Sequence, residues 1–375
     1  AAASHPDGVN NRWRRFSSMC VAALLCFLTA ARADAPFRFA QWSLADPFLS
    51  PSKNFTIRTP ETGCVPEWAA CVIDRQNVHP LFHKHFPHAA QNLLPCWSFF
   101  SRFPRLRPVI LLRNGLTMHA GDWPHGLLQL MGATIELSRA WDPSKQCAVV
   151  GRLITRPEPG GLGREVRWLS READARLLRV QLRRKHAEAL SHFRSTLDHS
   201  LHVGLLTRSG KSRSLIHEAA IVARLRQELP RANHSTALFN GWPFARQVSW
   251  VAAQDVIITP HGAQNVNLAF ARPCAVIAEV FPRYYYVPSF YLTLVQAAGA
   301  IPFAAYPGAF PLRDQRKTDM DGTFAWRLRT RNVRLNVTAD EVGAALPVMM
   351  RARQRCLNEL KRRGQGKASD AIPVA

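Results

Sequence analysis

The second half of the chain alternates short apolar runs with segments of helical spacing, and that alternation leaves few folds open. HVGLLT, STALFN, DVIIT and AVIAEVF are compact apolar or β-branched runs bounded by polar or turn residues. Between them, LIHEAAIVARLRQEL, ARQVSWVAAQ and SFYLTLVQAAGA carry apolar residues at helical intervals. Strands separated by helices pair in parallel through crossover connections. In the first half, RPVILL and ATIEL read as strands, LFHKHFPHAAQNLLPCWSFFSRF and WPHGLLQLMGA as helices, and RPEPGGLGREV as a loop. SREADARLLRVQLRRKHAEALSHF reads as one long amphipathic helix bridging the halves. Residues 36–80 look like an irregular lead-in. The pattern predicts an α/β protein with parallel sheets.

A length of 375 residues suits two domains or one large one, and 47% hydrophobic residues suffice for sizeable cores. The formal charge of +23, from 49 Lys plus Arg against 26 Asp plus Glu, favours phosphate-bearing ligands, polyanions or acidic surfaces. Near the start, Arg12, Arg14 and Arg15 precede the low-charge run Cys20–Ala31 and then Ala33-Asp34-Ala35. This layout predicts a signal peptide or a short signal-anchor that would associate the protein with a membrane. Six cysteines lie outside that run, none at CxxC spacing, which fits disulfides better than zinc. Three sequons, at Asn54, Asn233 and Asn336, agree with passage through the secretory pathway.

Within DVIITPHGAQNVN, a strand reading runs straight into His261, Gly262 and Ala263 and then a short helical segment. In open parallel sheets, ligands bind at the carboxyl ends of the strands. A glycine there admits close backbone approach, and a helix start offers free N–H groups to a phosphate. The following strand puts Glu279 near its own carboxyl end, where a carboxylate would accept from ribose hydroxyls. The earlier strand HVGLLT leads into RSGKSR, whose Arg208 and Arg213 suit bidentate contact with a diphosphate. Together these features point to a nucleotide diphosphate. Asp319-Met320-Asp321 is a literal DxD in a polar loop outside this module and reads as a solvated turn, and no metal site is expected. Tyr284, Tyr285 and Tyr286 would either shape an acceptor cleft or pack beneath the next helix.

The run DVIITPHGAQNVNLAFARPCAVIAEVFP resembles the signature of glycosyltransferase family 61, with His261, Gly262, Ala263, Asn267, Phe270, Pro273, Glu279 and Pro282 at the matching places. LLTRSGKSR resembles the family's arginine loop. The resemblance implies two Rossmann-like domains facing across a cleft (GT-B type), with an N-terminal flank over 1–35, an acceptor domain over 36–195, a nucleotide-sugar domain over 196–345, and a basic helix and tail over 346–375. It implies inverting, metal-independent transfer of xylose, arabinose or GlcNAc from a UDP-sugar to a glycan or glycoprotein, without a cofactor, in the Golgi or endoplasmic reticulum lumen. Arg208 and Arg213 would bind the diphosphate, the 261–263 turn would approach the phosphates or uridine, and Asn267 would fix the turn. The family's base comes from a His- and Asp-containing N-terminal segment; the matching FHKHFPHAAQNLLP has no carboxylate, which leaves His85 or His88. Two other readings are a relative that kept the nucleotide module without a base, and a basic polyanion binder, although nothing in the sequence interleaves aromatic and basic residues as a nucleic-acid surface would.

Overall fold

The computed structural model describes residues 35–45, 47–48, 55–60, 64–78, 82–118, 121–137, 146–153, 167–195, 198–210, 212–311 and 330–364. The N-terminal flank up to residue 34, Asn54, the stretch RPEPGGLGREV and the DxD lie outside them.

Two sheets organise the chain. The first contains β2 (Phe55–Arg58), β3 (Trp68–Asp74), β4 (Arg107–Arg113), β5 (Thr134–Leu137) and β6 (Ala148–Leu153) in the order β2-β6-β3-β4-β5. All are parallel except the edge strand β2. Helix α1 (Phe86–Phe100) connects β3 to β4, and α2 (Asp122–Met131), ended by Gly132 in the left-handed region, connects β4 to β5.

The second sheet contains β7 (His202–Leu206), β8 (Asn233–Ala237), β9 (Val256–Pro260), β10 (Val276–Val280) and β11 (Ile301–Pro307). These strands are parallel, in the order β11-β10-β9-β7-β8. β1 (Phe37–Gln41) closes one edge by pairing antiparallel with β11. Every residue of β7, β9 and β10 is buried, as expected of strands covered by helices on both faces. The covering helices are α5 (Glu218–Glu228), α6 (Phe244–Ala253), α7 (Pro288–Ala297) and α8 (Ala339–Arg362). A reciprocal capping box between Thr338 and Glu341 starts α8.

Several sequence expectations are corrected here. The stretch 36–80 is no mere lead-in: it supplies β1, β2 and the central strand β3. Its first strand belongs to the second sheet, so the sheets do not divide cleanly at residue 195. The bridging helix is two helices, α3 (Glu172–Lys185) and α4 (Ala187–Ser191), because His186 leaves the helical region with φ −135° and ψ 37°. The segment after the His-Gly turn is a 3-10 helix, Ala263–Phe270, in which Asn267 Nδ2 bonds the Gln264 carbonyl. The C-terminal helix begins at Ala339, a full two turns before residue 346.

Disulfides join all six cysteines: Cys64–Cys147, Cys71–Cys96 and Cys274–Cys356. The last fastens α8 to the turn before β10. No helix among the described residues is long and apolar enough to cross a membrane.

One apolar core runs between the two sheets. Leu94, Trp123 and Trp168 from the first side meet Phe244, Phe270, Tyr291 and Leu294 from the second. Polar contacts fix the alignment: Trp123 Nε1 donates to Asn267 Oδ1 at 2.7 Å, and Trp168 Nε1 to the Phe290 carbonyl at 2.8 Å. Arg179 of α3 donates to the carbonyls of Ala271 and Ala298, both at 3.0 Å. Those residues end the 3-10 helix and α7, so one buried cation serves two negative helix ends. Burial lowers the Arg179 pKa to about 10, with Glu172 opposing. Arg179→Met should therefore leave two buried carbonyls unsatisfied and cost about 2–4 kcal/mol. Urea unfolding should register that loss; an unchanged midpoint would contradict the role given to Arg179.

Candidate functional site

The strand order β8-β7-β9-β10-β11 makes one topological switch point, between β7 and β9, where the connections leave in opposite directions. Such points open a crevice at the carboxyl ends of parallel strands. Here β7 releases the loop carrying Arg208 and Arg213, and β9 releases His261 and Gly262.

The turn after β9 rests on a buried polar network. Glu279 is fully buried, and its Oε1 accepts from His261 Nδ1 at 2.7 Å and from Asn265 Nδ2 at 2.9 Å. A carboxylate only accepts, so the proton sits on His261 Nδ1. Asn265 Oδ1 in turn accepts from Thr259 Oγ1 at 2.9 Å. The His261 backbone N–H continues the ladder to the Val280 carbonyl, and its ring packs among Phe281, Tyr285 and Tyr291. Glu279 is thus a support behind the turn, which corrects the expectation that it would line the crevice and meet a ribose: both partners and full burial hold it inward.

Gly262 is extended, with φ 179°, so its value lies in space rather than in backbone freedom. A Cβ there would overlap Arg208 Nη1. Arg208 Nη1 donates at 3.4 Å to the His261 carbonyl, which seats the guanidinium across the glycine. Arg213 sits in the left-handed region with φ 58°, and its N–H bonds the Val333 carbonyl. Its Nε is buried without a hydrogen-bond partner among the described residues. Burial, and then the neighbouring Arg208, lower the Arg213 pKa to about 10. Burial also lowers that of Arg208, against Tyr291, with Arg331 adding to the lowering. No carboxylate among the described residues pairs with either arginine.

Sequence reasoning missed Arg331. It lies beyond the βαβ module and joins the site because residues 331–335 run beside 213–216, with Ile216 N bonding the Leu335 carbonyl and Leu335 N the Ser214 carbonyl. Nothing in the local sequence marks it among so many arginines.

From the first sheet, His85 precedes α1 and sits next to His88, the rings 5.0 Å apart. Burial lowers the His85 pKa to about 4, assisted by His88, Arg331 and Arg213. His85 is therefore uncharged at neutral pH, and its environment includes the arginines of the second sheet. His88 Nδ1 lies 2.9 Å from Gln91 Oε1. Asn267 is buried and spans Trp123, Gln247 and the Gln264 carbonyl, a bridge between the halves. Ala263 opens the 3-10 helix. Tyr285 and Tyr286 are buried in the core beside β10.

A family model described as Glycosyltransferase 61 matches residues 86–278, just over half of the 375 residues. The chain belongs to glycosyltransferase family 61. The match begins immediately after His85 and stops immediately before Glu279; it spans His88, both loop arginines, the His-Gly-Ala turn and Asn267. None of the curated proteins matches this chain. Membership in the family makes the protein a glycosyltransferase, acting between a sugar donor and an acceptor.

Within this family member, Gly262→Ala should fold, because the displaced atom is the far end of a flexible side chain. It should also push Arg208 out of place and weaken binding of an oxyanion such as pyrophosphate by about tenfold, the scale of one charge-assisted hydrogen bond. Calorimetric titration of the variant with pyrophosphate measures this, and wild-type affinity would contradict it.

Proposed function

We propose that this glycosyltransferase moves a sugar from a UDP-sugar to a hydroxyl of a glycan or glycoprotein, with inversion at the anomeric carbon. The observation that carries this reading is the group of half-buried arginines at the switch point, Arg208 and Arg213 with Arg331 beside them, unpaired with any carboxylate among the described residues. Buried like charges are costly unless a counter-charge arrives. A diphosphate supplies it, and guanidinium forks match its oxygens.

In this mechanism the arginines bind the diphosphate in the donor and stabilise the charge that builds on it as the glycosidic bond breaks, without a metal ion. The first N–H groups of the 3-10 helix lie close to the same turn and favour a phosphate. The His261 imidazole, fixed by Glu279, packs the turn against the tyrosines. The base that takes the acceptor's proton comes from His85 or His88. His85 is the one whose titration is linked to Arg331 and Arg213; a bound diphosphate would offset those cations and raise its proton affinity. The acceptor would lie at the carboxyl ends of the strands in a GT-B arrangement, with the first sheet as acceptor side and the second as donor side. Three disulfides support a secretory, Golgi or endoplasmic reticulum location. The absence of a carboxylate from residues 83–95 supports a second reading, a relative that binds donor without turning it over.

Thermal unfolding with UDP and a panel of UDP-sugars tests the donor. UDP should raise the melting temperature of the wild-type protein and not of Arg213→Ala. The sugar giving the largest shift is then assayed for turnover: release of UDP supports the transferase, and binding without release the second reading. A folded protein that no uridine nucleotide stabilises would overturn the proposal.

A further inference from the structure

A second feature adjoins Arg208. A cleft of about 360 Å³ opens between the end of β7 and the first turn of α5, walled by Arg208, Ser214, Ile216, Glu218 and Arg334. The volume is in the range of small-ligand sites. The backbone pairing of 331–335 with 213–216 is what builds it, placing Arg331 toward His85 and Arg334 toward Glu218.

Two groups in this cleft are unused. Ser214 is 5% exposed, and its hydroxyl has no hydrogen-bond partner among the described residues. Glu218, the first residue of α5, is half-buried and forms no hydrogen bond or ion pair with another described residue. Burial raises its pKa, with Arg334 opposing. A site meant only for an inorganic anion would not carry a carboxylate on its wall, because like charges repel. A carboxylate and a hydroxyl next to a phosphate-binding arginine instead match a vicinal diol one sugar ring away from a phosphate. With Glu279 sealed under the turn, Glu218 is the carboxylate that, among the described residues, lines this cleft beside Arg208.

We propose that Ser214 and Glu218 hold the ribose of the donor nucleotide, Glu218 accepting from its 2′- and 3′-hydroxyls while Arg208 holds the adjoining phosphate. The inference rests on the nucleotide-sugar reading above and assigns the ribose to a different strand end from the one the sequence suggested. Arg208 then belongs to both halves of one ligand, which explains why it borders the cleft and the His-Gly turn at once.

Calorimetric titration of the full-length protein with UDP, 2′-deoxy-UDP and pyrophosphate separates the two ideas. The wild-type protein should bind UDP about tenfold more tightly than 2′-deoxy-UDP, the scale of a hydrogen bond to a charged group. Glu218→Ala should erase that preference while leaving pyrophosphate affinity unchanged, and Ser214→Ala should weaken UDP without affecting pyrophosphate. Equal wild-type affinity for UDP and 2′-deoxy-UDP, or full discrimination by the Glu218 variant, would overturn the ribose assignment with the donor reading intact. Failure of the wild-type protein to bind either UDP or pyrophosphate would overturn both.

Discussion

The buried Glu279 carboxylate holds the functional end of this molecule together. It lies inside a parallel sheet, where a charge is tolerated only if its hydrogen bonds are met. His261 and Asn265 both donate to Oε1, and Thr259 fixes Asn265 in turn. Those residues are the end of β9 and the start of the 3-10 helix, so the shape of the turn follows from bonding one carboxylate oxygen. With the turn fixed, the His261 carbonyl and the empty side of Gly262 define where the Arg208 guanidinium rests. A polar group buried at this cost in a strand end secures the geometry of groups in front of it.

Topology adds the second constraint. A parallel sheet that reverses its winding between β7 and β9 cannot bridge the gap at the carboxyl end, and both loops that border the gap carry cationic or N–H-rich groups. The first sheet is wound outward in the same manner, with β6 and β4 on either side of β3, and the chain leaving β3 leads to His85. Because the core between the sheets is continuous and Trp123, Trp168 and Arg179 lock its alignment, His85 is held where the arginines influence its charge. Under the proposed reaction, a neutral histidine on one side and excess positive charge on the other would suit moving a proton from an acceptor while a diphosphate departs.

Much of this was legible in the sequence for a physical reason: central parallel strands are buried on both faces and therefore nearly continuously apolar, so HVGLLT, DVIIT and AVIAEVF stand out, and helical spacing fills the gaps. The His-Gly-Ala turn and the loop arginines followed from where strands end. β1 and β2 were not legible, since edge strands are short and half exposed, with no alternation over enough residues to register. β3 was hidden by the Pro- and Trp-rich stretch before it. Arg331 needed a long-range pairing of 331–335 with 213–216 that no local pattern encodes. Glu279 was placed correctly on its strand and wrongly in its environment, because a strand's periodicity fixes a side chain's position and not whether Asn265 and His261 will close over it.

The most direct test of the central claim is a crystal structure of the protein with UDP bound. The account predicts the diphosphate at the β7/β9 switch point, its oxygens within hydrogen-bond distance of the Arg208 and Arg213 guanidinium groups, with Glu279 still covered by His261 and Asn265. A nucleotide seated elsewhere, for example on the carboxyl end of the first sheet away from both arginines, would contradict it.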